Sequence, residues 1–340
     1  MRLGFGLITC QRPPGERRSD AELYRDAIDV SVLAERLGLD SVWLSEHHFV
    51  DDGYMPSLLP VAAAIAARTE RVTIGTALLL APLHDPVRLA EDAATVDLIS
   101  GGRFVLGLGL GWRAEEFEGL GISQRDRRRR LIDAIVVMRQ AWSDGLVTGT
   151  STAPYPGISV TPKPAAGGPP VWIGGSAEPA VRRAGELADG FMASSPSPSG
   201  LARMAGWIRD EMARRGRDPA GFEWSVHAPT FPWHGDDAWG RVRDHRWYVD
   251  WKYGDMAGAR GRTGPAASPP PLPAAEEKRL RDRTLLGSPT GVAERIAALR
   301  DAVGGDLHFI ARLYWPGMDP AVRDESLRIL AEEVAPLLRA

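Results

Sequence analysis

The chain has 340 residues, of which 44% are hydrophobic, and its formal net charge is −3. This length suits one barrel domain with insertions, and this composition can bury a large core. A charge so close to zero creates no field that would favour nucleic acid or an anionic membrane as a partner. The single cysteine, Cys10, excludes an intramolecular disulfide and a cysteine-based metal cluster. Because the N-terminal stretch resembles neither a secretion signal nor a membrane span, we expect a cytoplasmic protein.

In chain order, short apolar runs alternate with segments that carry apolar residues at helical spacing. The strand candidates are 3–8, 41–45, 72–80, 103–110, 171–175, 190–194, 222–228 and 307–314. The helix candidates are 21–37 (with Asp20 as its cap), 58–69, 87–99, 125–142, 177–187, 199–215, 289–302 and 319–338. Eight strands that alternate with helices predict an α/β fold, a closed parallel TIM (β/α)8 barrel, as a single domain over residues 1–340.

Two stretches interrupt this repeat. Residues 144–170 contain an expected small hairpin, formed by GLVTGT and ISV, as an insertion. Residues 254–275 are rich in Gly, Pro and Ala and have few side chains that could pack. A loop of this length in a compact domain is typical of an active-site lid, so we expect a mobile lid at the catalytic rim of the barrel.

Glu46, His47 and His48 directly follow the second strand candidate. Catalytic groups of a barrel lie where its strands end, so this stretch is a candidate catalytic site. Neighbouring residues that leave a strand point in different directions, so only one of the two histidines is expected to face the barrel axis. This argues against a two-histidine metal site, and we expect no metal. The structural alternative is that Glu46 orients a buried histidine and caps the second helix.

Two glycine-rich turns follow later strands. GLGLG (107–111) lacks the spacing of a dinucleotide fingerprint, so its glycines either let a flat ligand approach the backbone or relieve crowding. In GGSAEP (174–179), Ser176 can cap a helix that has Pro179 in its first turn. Exposed N–H groups at such a helix start can bind phosphate, although an ordinary cap explains the same pattern.

Two further clusters allow both a structural and a functional interpretation. The basic run RDRRRR (125–130) either binds polyanions or forms the solvated face of a helix, and we favour the second interpretation. Trp233, Trp239, Trp247 and Trp251 lie beside the expected lid. They either pack in the core or line a pocket for an apolar or aromatic substrate.

Four stretches together resemble the bacterial luciferase-like family of flavin-dependent oxidoreductases. They are VWLSEHHF (42–49), the long block 71–112, the segment 170–190 and the segment 287–304. The resemblance runs in order along nearly the whole chain and is weakest over 230–285. It implies a TIM barrel that binds a flavin or a deazaflavin at its C-terminal face.

The resemblance also implies roles for particular residues. His47 matches the active-site histidine beside the flavin ring, with Glu46 and His48 as its supporting neighbours. Ala77 and Leu78 match a non-prolyl cis peptide bond that lies against the ring. The remaining implied cofactor contacts are the phosphate-binding turn at Gly174, Gly175 and Ser176 and the floor beneath the cofactor at Gly107, Gly109 and Gly111.

Two departures from the luciferase pattern bear on the cofactor. Leu110 stands where luciferases have an arginine on the flavin phosphate, and Gly109 stands where they have a reactive cysteine. We therefore expect no light emission, and more of the phosphate contact falls to the turn at Ser176.

Three functions follow as hypotheses. The first is a two-component monooxygenase that uses reduced FMN from a separate flavin reductase, with O₂, on a small apolar or aromatic substrate. The second is a hydride-transfer oxidoreductase that uses the deazaflavin coenzyme F420, whose acidic tail the basic run 125–130 could bind. The third, which the presence of His47 and the expected lid disfavours, is a flavin-binding protein without catalysis. In all three a homodimer is expected, with the apolar segment 57–69 either at the subunit contact or against the barrel.

Overall fold

Eight parallel strands close into a barrel in the computed structural model, which describes residues 1–258 and 268–339. The strands in chain order are β1 (Arg2–Ile8), β2 (Ser41–Leu44), β3 (Thr73–Thr76), β4 (Phe104–Leu108), β5 (Val147–Gly149), β6 (Pro154–Ile158), β7 (Val171–Gly174), β8 (Gly190–Ser194), β9 (Glu223–Pro232), β10 (Leu285–Gly287) and β11 (His308–Arg312). The barrel order is β1, β2, β3, β4, β7, β8, β9 and β11, and β11 pairs with β1 to close it. The predicted TIM barrel is therefore confirmed, and all eight predicted strands belong to it.

Helices surround the barrel and connect successive strands. They are α1 (Asp20–Arg36), α2 (Leu58–Ala66), α3 (Pro86–Ser100), α4 (Ala114–Gly119), α5 (Arg127–Trp142), α6 (Glu178–Leu187), α7 (Pro198–Arg214), α8 (Ala238–Gly258), α9 (Ala274–Asp282), α10 (Pro289–Val303), α11 (Pro320–Ile329) and α12 (Ala335–Arg339). A π-helical turn, Leu330–Val334, joins the last two helices. None of the helices in the described ranges is long and apolar enough to span a bilayer.

Local side chains determine where several helices begin. Ser19, rather than the predicted Asp20, caps α1, because its hydroxyl and the Glu22 carboxylate form a reciprocal capping box. The Asp85 carboxylate accepts hydrogen bonds from two backbone N–H groups at the start of α3. A proline in the first turn of α3 adds no unsatisfied donor there, since the first N–H groups of a helix have no partner within it.

The interior of the barrel is filled by two stacked indoles. Trp43 on β2 and Trp172 on β7 are both buried, and their ring centroids lie 5.0 Å apart. The His308 ring meets the edges of both indoles at 5.6 Å, and Ser41 Oγ lies 2.6 Å from His308 Nε2. Gly75 leaves the space that the Trp43 ring occupies, because a Cβ there would lie 2.2 Å from that ring. The indoles therefore close the barrel below its C-terminal mouth.

The insertion after α5 contains the predicted hairpin. Strands β5 and β6 pair antiparallel, but the second strand covers 154–158 rather than the predicted 158–160. Strand β10 was not predicted; it pairs with the C-terminal part of β9, which extends to Pro232 beyond the predicted end at 228.

The expected lid is only partly within the described residues. Residues 254–258 form the end of α8, and α9 begins at Ala274. The prediction of a loop over all of 254–275 is therefore wrong at both ends. Residues 259–267 of the expected lid lie outside the described residues.

The tryptophans near the expected lid pack against apolar side chains of α8 and its neighbours. Trp239 is buried in a second apolar cluster with Phe231, Val242, Val249, Leu280 and Trp315, and Trp233 and Trp247 pack against its margin. The Trp251 ring lies against Tyr248. The core-packing interpretation therefore holds for Trp239, Trp233 and Trp247.

Helix α2 buries most of its apolar surface against the protein's own barrel. Leu58, Leu59, Val61, Ala62, Ile65 and Ala66 are buried, while Pro60 is exposed. The segment 57–69 thus packs against the barrel, and the homodimer stays a prediction.

We predict that Gly75→Ala destabilises the barrel, because the added Cβ would clash with the Trp43 ring, which the Trp172 stack holds in place. The expected loss in the free energy of unfolding is roughly 1–3 kcal/mol, as for other overpacked cores. Urea unfolding followed by circular dichroism measures the change.

The matched control is Gly206→Ala in α7, where an added Cβ meets no atom within 4 Å. This variant should gain up to about 1 kcal/mol from helix propensity. Equal unfolding midpoints for both variants and the wild type would contradict the proposed role of Gly75.

Candidate active site

His47 lies at the C-terminal mouth of the barrel, just after β2. The residue is 5% exposed, and its Nδ1 lies 2.7 Å from Glu116 Oε1. Its backbone N–H donates to the carbonyl of Met55. Because Nδ1 is engaged by the carboxylate, Nε2 is the ring nitrogen that remains for proton exchange with a ligand.

Three aromatic rings surround the imidazole of His47. Tyr54, Tyr253 and Trp112 meet it edge to face, with centroid distances of 4.8, 5.5 and 5.8 Å. The Tyr54 hydroxyl also lies 2.8 Å from Ser45 Oγ and 3.1 Å from the Tyr253 hydroxyl. Burial, with the neighbouring Tyr253, raises the pKa of Tyr54 well above its ordinary value, so this phenol stays protonated and can donate a hydrogen bond. The surroundings of His47 are therefore apolar rings with hydroxyl groups at their edges.

Glu46 and His48 form a pair of their own and do not support His47. His48 Nε2 lies 2.7 Å from Glu46 Oε1, and the other oxygen of Glu46 accepts from the Leu80 N–H at 3.2 Å. The structural alternative is therefore correct in that Glu46 orients a histidine, namely His48, but wrong in the cap, because the N-cap of the second helix is Ser57. The support of His47 by Glu46 that the resemblance implies is not seen in these contacts. It fails because consecutive side chains leave the strand in different directions, which places Glu46 beside His48 instead.

Glu116 is the residue that positions His47, and it was missed in the sequence. It is completely buried on α4, and the oxygen that contacts His47 also accepts from the His48 N–H at 3.1 Å. Arg113, at the start of α4, also links this helix to the loop after β2, because its guanidinium donates to the carbonyls of His48 and Phe49. The available signal was EEFEGLG (115–121), acidic residues that directly follow the fourth strand.

The third strand ends earlier than predicted, and a bulge follows it. Strand β3 stops at Thr76, and the peptide bond between Ala77 and Leu78 is cis, as the resemblance implies. Glycines surround the Leu78 side chain: a Cβ at Gly174 would lie 2.2 Å from it, and one at Gly109 would lie 3.2 Å from it. A Cβ at Gly107 would lie 2.1 Å from the Thr76 carbonyl oxygen. Glycine at these three positions therefore leaves room for the Leu78 side chain and the Thr76 carbonyl group, so the bulge can lie across the ends of the strands.

The turn at Gly175 and Ser176 leads into α6 without a side-chain cap. Helix α6 begins at Glu178, its N-cap is Ala177, and no side chain accepts a hydrogen bond from its first turn. Ser176 is exposed. The prediction that Ser176 caps this helix is therefore wrong. Pro179 has no N–H, and the N–H groups of Ala180 and Val181 donate to the carbonyl of Ala177. In the first turn the N–H of Glu178 is thus the one left for an anion among the described contacts.

Two arginines of the basic run 125–130 form hydrogen bonds with backbone carbonyls of loops at the mouth. Arg127 donates to the carbonyl of Gly111, which has a φ of +69°. Arg130 donates to the carbonyls of Pro82 and His84 in the segment after the bulge. These two arginines are therefore not on a solvated face as predicted, whereas Arg125 and Arg128 are exposed.

Two polar side chains on the far wall of the mouth were not singled out in the sequence. His227 on β9 and Arg312 on β11 occupy inward positions, because their neighbours Val226, Ala228 and Ala311 belong to the core outside the barrel. His227 Nδ1 and Arg312 Nε are buried and have no hydrogen-bond partner among the described residues. The signal was a charged or titratable residue near the end of an otherwise apolar strand, in SVHA and in IARL.

The described residues hold no group of three histidine, cysteine or acidic side chains that could bind a metal ion. The polar groups of the mouth are instead joined in carboxylate–imidazole pairs, His47 with Glu116 and His48 with Glu46.

We predict that the Glu46–His48 pair stabilises the fold most at mildly acidic pH. Burial alone would raise the pKa of Glu46, but the hydrogen bond with His48 and the nearby His84 lower it overall. Burial would lower the pKa of His48, but Glu46 raises it overall. The contribution of His48 is complete below its ordinary pKa of 6.5 and falls as pH rises through the raised value. The stabilisation that Glu46 contributes is fully present above its ordinary pKa of 4.5, and it is lost as the pH falls through the lowered pKa of the folded state.

Accordingly, His48→Gln should lose on the order of 1–3 kcal/mol of stability near pH 5.5 and less near pH 9. Urea unfolding at both pH values measures this loss. The control is His234→Gln, whose imidazole pairs with Glu333 on the exposed surface and should contribute little at either pH. A loss for His48→Gln that does not change with pH would contradict a charged pair.

Comparison with known proteins identifies relatives that use either kind of cofactor. A sequence profile described as luciferase-like monooxygenase matches residues 1–306. An F420-dependent glucose-6-phosphate dehydrogenase from Microbacterium testaceum is 34% identical over 208 residues, which cover 57% of this chain and 57% of that protein. The oxygenase component of a flavin-dependent trigonelline monooxygenase from Acinetobacter baylyi is 27% identical over 172 residues, which cover 50% of this chain and 48% of that protein. The chain thus matches about half the length of these curated relatives.

A solved structure extends the similarity over the whole fold. A monooxygenase from Streptomyces bottropensis matches with a TM-score of 0.83 over 99% of both chains at 22% identity, which shows a shared fold. Since the family profile covers most of the chain and the fold agrees with it, this protein belongs to the luciferase-like monooxygenase family of flavin-dependent enzymes, which includes FMN- and F420-dependent members.

Proposed function

We propose that this protein is the oxygenase of a two-component system, which receives reduced FMN from a separate reductase and oxidises a small apolar or aromatic substrate with O₂. The observation that carries the proposal is His47, which Glu116 holds at 2.7 Å within the rings of Tyr54, Trp112 and Tyr253. Such an imidazole can exchange a proton with a ligand, and the surrounding rings limit the access of water.

The mouth of the barrel offers features that fit FMN. Gly107, Gly109 and Gly174 leave room for the bulge at Ala77–Leu78, and a flat ring could lie against the backbone of that bulge. The uncapped start of α6, beside the exposed Ser176, suits the phosphate. When bound, FMN supplies the two electrons that activate O₂.

The residues of the chain then have distinct roles in this proposal. His47 donates or accepts a proton at Nε2, next to the position of the substrate. Glu116 is a positioning residue, because its carboxylate holds Nδ1 and fixes the orientation of the ring. Glu46 and His48 shape the loop rather than touch the substrate, since their polar atoms bind each other and the backbone of Leu80.

The second candidate is hydride transfer with coenzyme F420. Two observations favour it: Leu110 replaces the arginine that luciferases place on the FMN phosphate, and Arg125 and Arg128 are exposed, where an acidic tail could reach them. The site around His47 would serve either cofactor.

The first experiment is an anaerobic titration of the purified chain with reduced FMN and, in parallel, with reduced F420. For an oxygenase we expect tighter binding of reduced FMN, followed by substrate-dependent oxygen uptake when air is admitted. Tighter binding of F420, without oxygen uptake, would replace the oxygenase by the hydride transferase. Binding of neither cofactor would overturn both proposals.

We further predict that His47→Ala lowers turnover about 10²- to 10⁴-fold, as expected for a lost acid–base group, and leaves cofactor affinity nearly unchanged. Glu116→Gln should lower kcat with little change in KM, because the carboxamide retains a hydrogen bond but not the charge. His234→Ala, on the exposed surface, is the control. Turnover retained in His47→Ala would refute the assignment of His47, and a fall in cofactor affinity for Glu116→Gln would indicate a structural role for that residue.

A further inference from the structure

Arg312 is a cation inside the barrel mouth that forms no ion pair with a carboxylate of the described residues. It continues the inward row of β11 above His308 and Ile310, and its register partner on β1 is Gly6. Its guanidinium carbon lies 5.5 Å from the centre of the Tyr253 ring, and its Nε has no hydrogen-bond partner in the described ranges. A cation in such a position is costly unless a ligand or another residue offsets its charge.

The helix that carries Tyr253 also carries a second buried guanidinium. Arg246 of α8 is 7% exposed, and its Nε also has no hydrogen-bond partner among the described residues. It precedes Tyr253 by about two helical turns, so it lies on the same face of α8 as the ring beside Arg312. Burial chiefly, and then the charge of Arg312, lower the pKa of Arg246 to about 10. Two cations on this side of the mouth favour an anion beside them.

The chain supplies too little negative charge at this point. Asp250 lies 3.5 Å from Arg246, but it also pairs with Arg279 at 2.7 Å. No carboxylate of the described ranges forms an ion pair with Arg312. The segment 259–267, outside the described residues, reads ARGRTGPAA and contains no acidic residue.

The balance of charge indicates a monoanion. Asp250 offsets at most one of the two guanidinium charges, so about one positive charge remains. His227 adds none, because burial and the nearby Arg312 lower its pKa to about 3 and keep it neutral. A neutral imidazole whose buried Nδ1 lacks a partner can still give or accept one hydrogen bond.

This cluster faces the expected cofactor position from across the barrel. In the closed order of eight strands, β9 with His227 stands opposite β3, and β11 with Arg312 stands opposite β4. The Tyr253 ring lies 5.5 Å from both the His47 ring and the Arg312 guanidinium carbon, so one aromatic ring separates the cluster from the histidine. A ligand that lies alongside the Tyr253 ring could present its reactive part to His47 and its anionic end to Arg312.

We propose that Arg312 and Arg246, together with His227, bind the carboxylate of the substrate, which makes the substrate a small aromatic or apolar carboxylic acid. This rests on the proposed function in one respect, that the substrate occupies the space beside His47. The planar guanidinium is suited to a carboxylate because it can form two parallel hydrogen bonds with it.

Calorimetric titration of the full chain with benzoate, its neutral analogue benzamide, and phenyl phosphate tests this proposal. We expect benzoate to bind at least about tenfold more tightly than benzamide and more tightly than phenyl phosphate. Arg312→Gln should weaken benzoate binding about ten- to a hundredfold, the usual loss for a hydrogen bond with a charged group, and leave benzamide binding unchanged. Arg241→Gln is the matched control, since that guanidinium also lies over an aromatic ring, Trp233, but on the exposed surface.

Arg312→Lys, which retains the charge, should keep more of the benzoate affinity than Arg312→Gln does. If Arg312→Gln does not fold, as judged by circular dichroism, Arg246→Gln takes its place with the same expected loss. Equal binding of benzoate and benzamide by the wild type would overturn the proposal. So would an Arg312→Gln variant that binds FMN or F420 more weakly but benzoate normally, because the cation would then serve the cofactor. These titrations are made without cofactor, so a failure of the proposed function in the cofactor titration leaves their result unaffected.

Discussion

The stacked indoles of Trp43 and Trp172 determine how deep the site can be, since they fill the interior of the barrel just below its C-terminal mouth. A barrel of eight strands has an interior only wide enough for side chains. Glycine at position 75 is needed on a neighbouring strand for one of these rings to fit. Every polar group that faces the axis above the indoles must therefore lie near the rim, where a ligand can reach it.

At the rim, the two adjacent histidines His47 and His48 have different carboxylate partners. Glu46 binds His48 and the backbone after the bulge, so it joins the ends of β2 and β3. Glu116 comes from the loop after β4 and holds His47 instead. Each imidazole thus has one partner, and only His47 is also surrounded by aromatic rings. The arrangement leaves one ring nitrogen of His47 at the mouth for the proposed proton exchange, whereas His48 is bound within the loop.

The two sides of the mouth differ, since one is formed by small residues and a helix start and the other carries two arginines. Small groups and an uncapped helix start lie along β3, β4 and β7, where a flat cofactor with a phosphate would fit. The opposite wall carries Arg312 and Arg246 with too little negative charge to offset them. Tyr253 lies between that wall and His47, because α8 crosses the mouth. This asymmetry underlies the proposed division of the mouth into a cofactor side and a substrate side.

The barrel could be predicted from the sequence because parallel strands buried on both faces appear as short apolar runs, and helices between them have a different period. The position of His47 followed from the same reasoning, since it depends only on where a strand ends. The end of β3 could not be predicted, because the apolar run 72–80 continues through the bulge at Ala77 and Leu78.

The partners of each side chain were decided by the tertiary structure alone. Glu116 meets His47 from 69 positions along the chain, and Tyr253 lies beside both His47 and Arg312 because α8 folds over the mouth. No local pattern encodes such contacts, since they depend on how strands and helices that are distant in sequence are brought together around one axis. The sequence by itself thus determined the barrel and the place of the site, whereas closure of the barrel decided which groups face one another there.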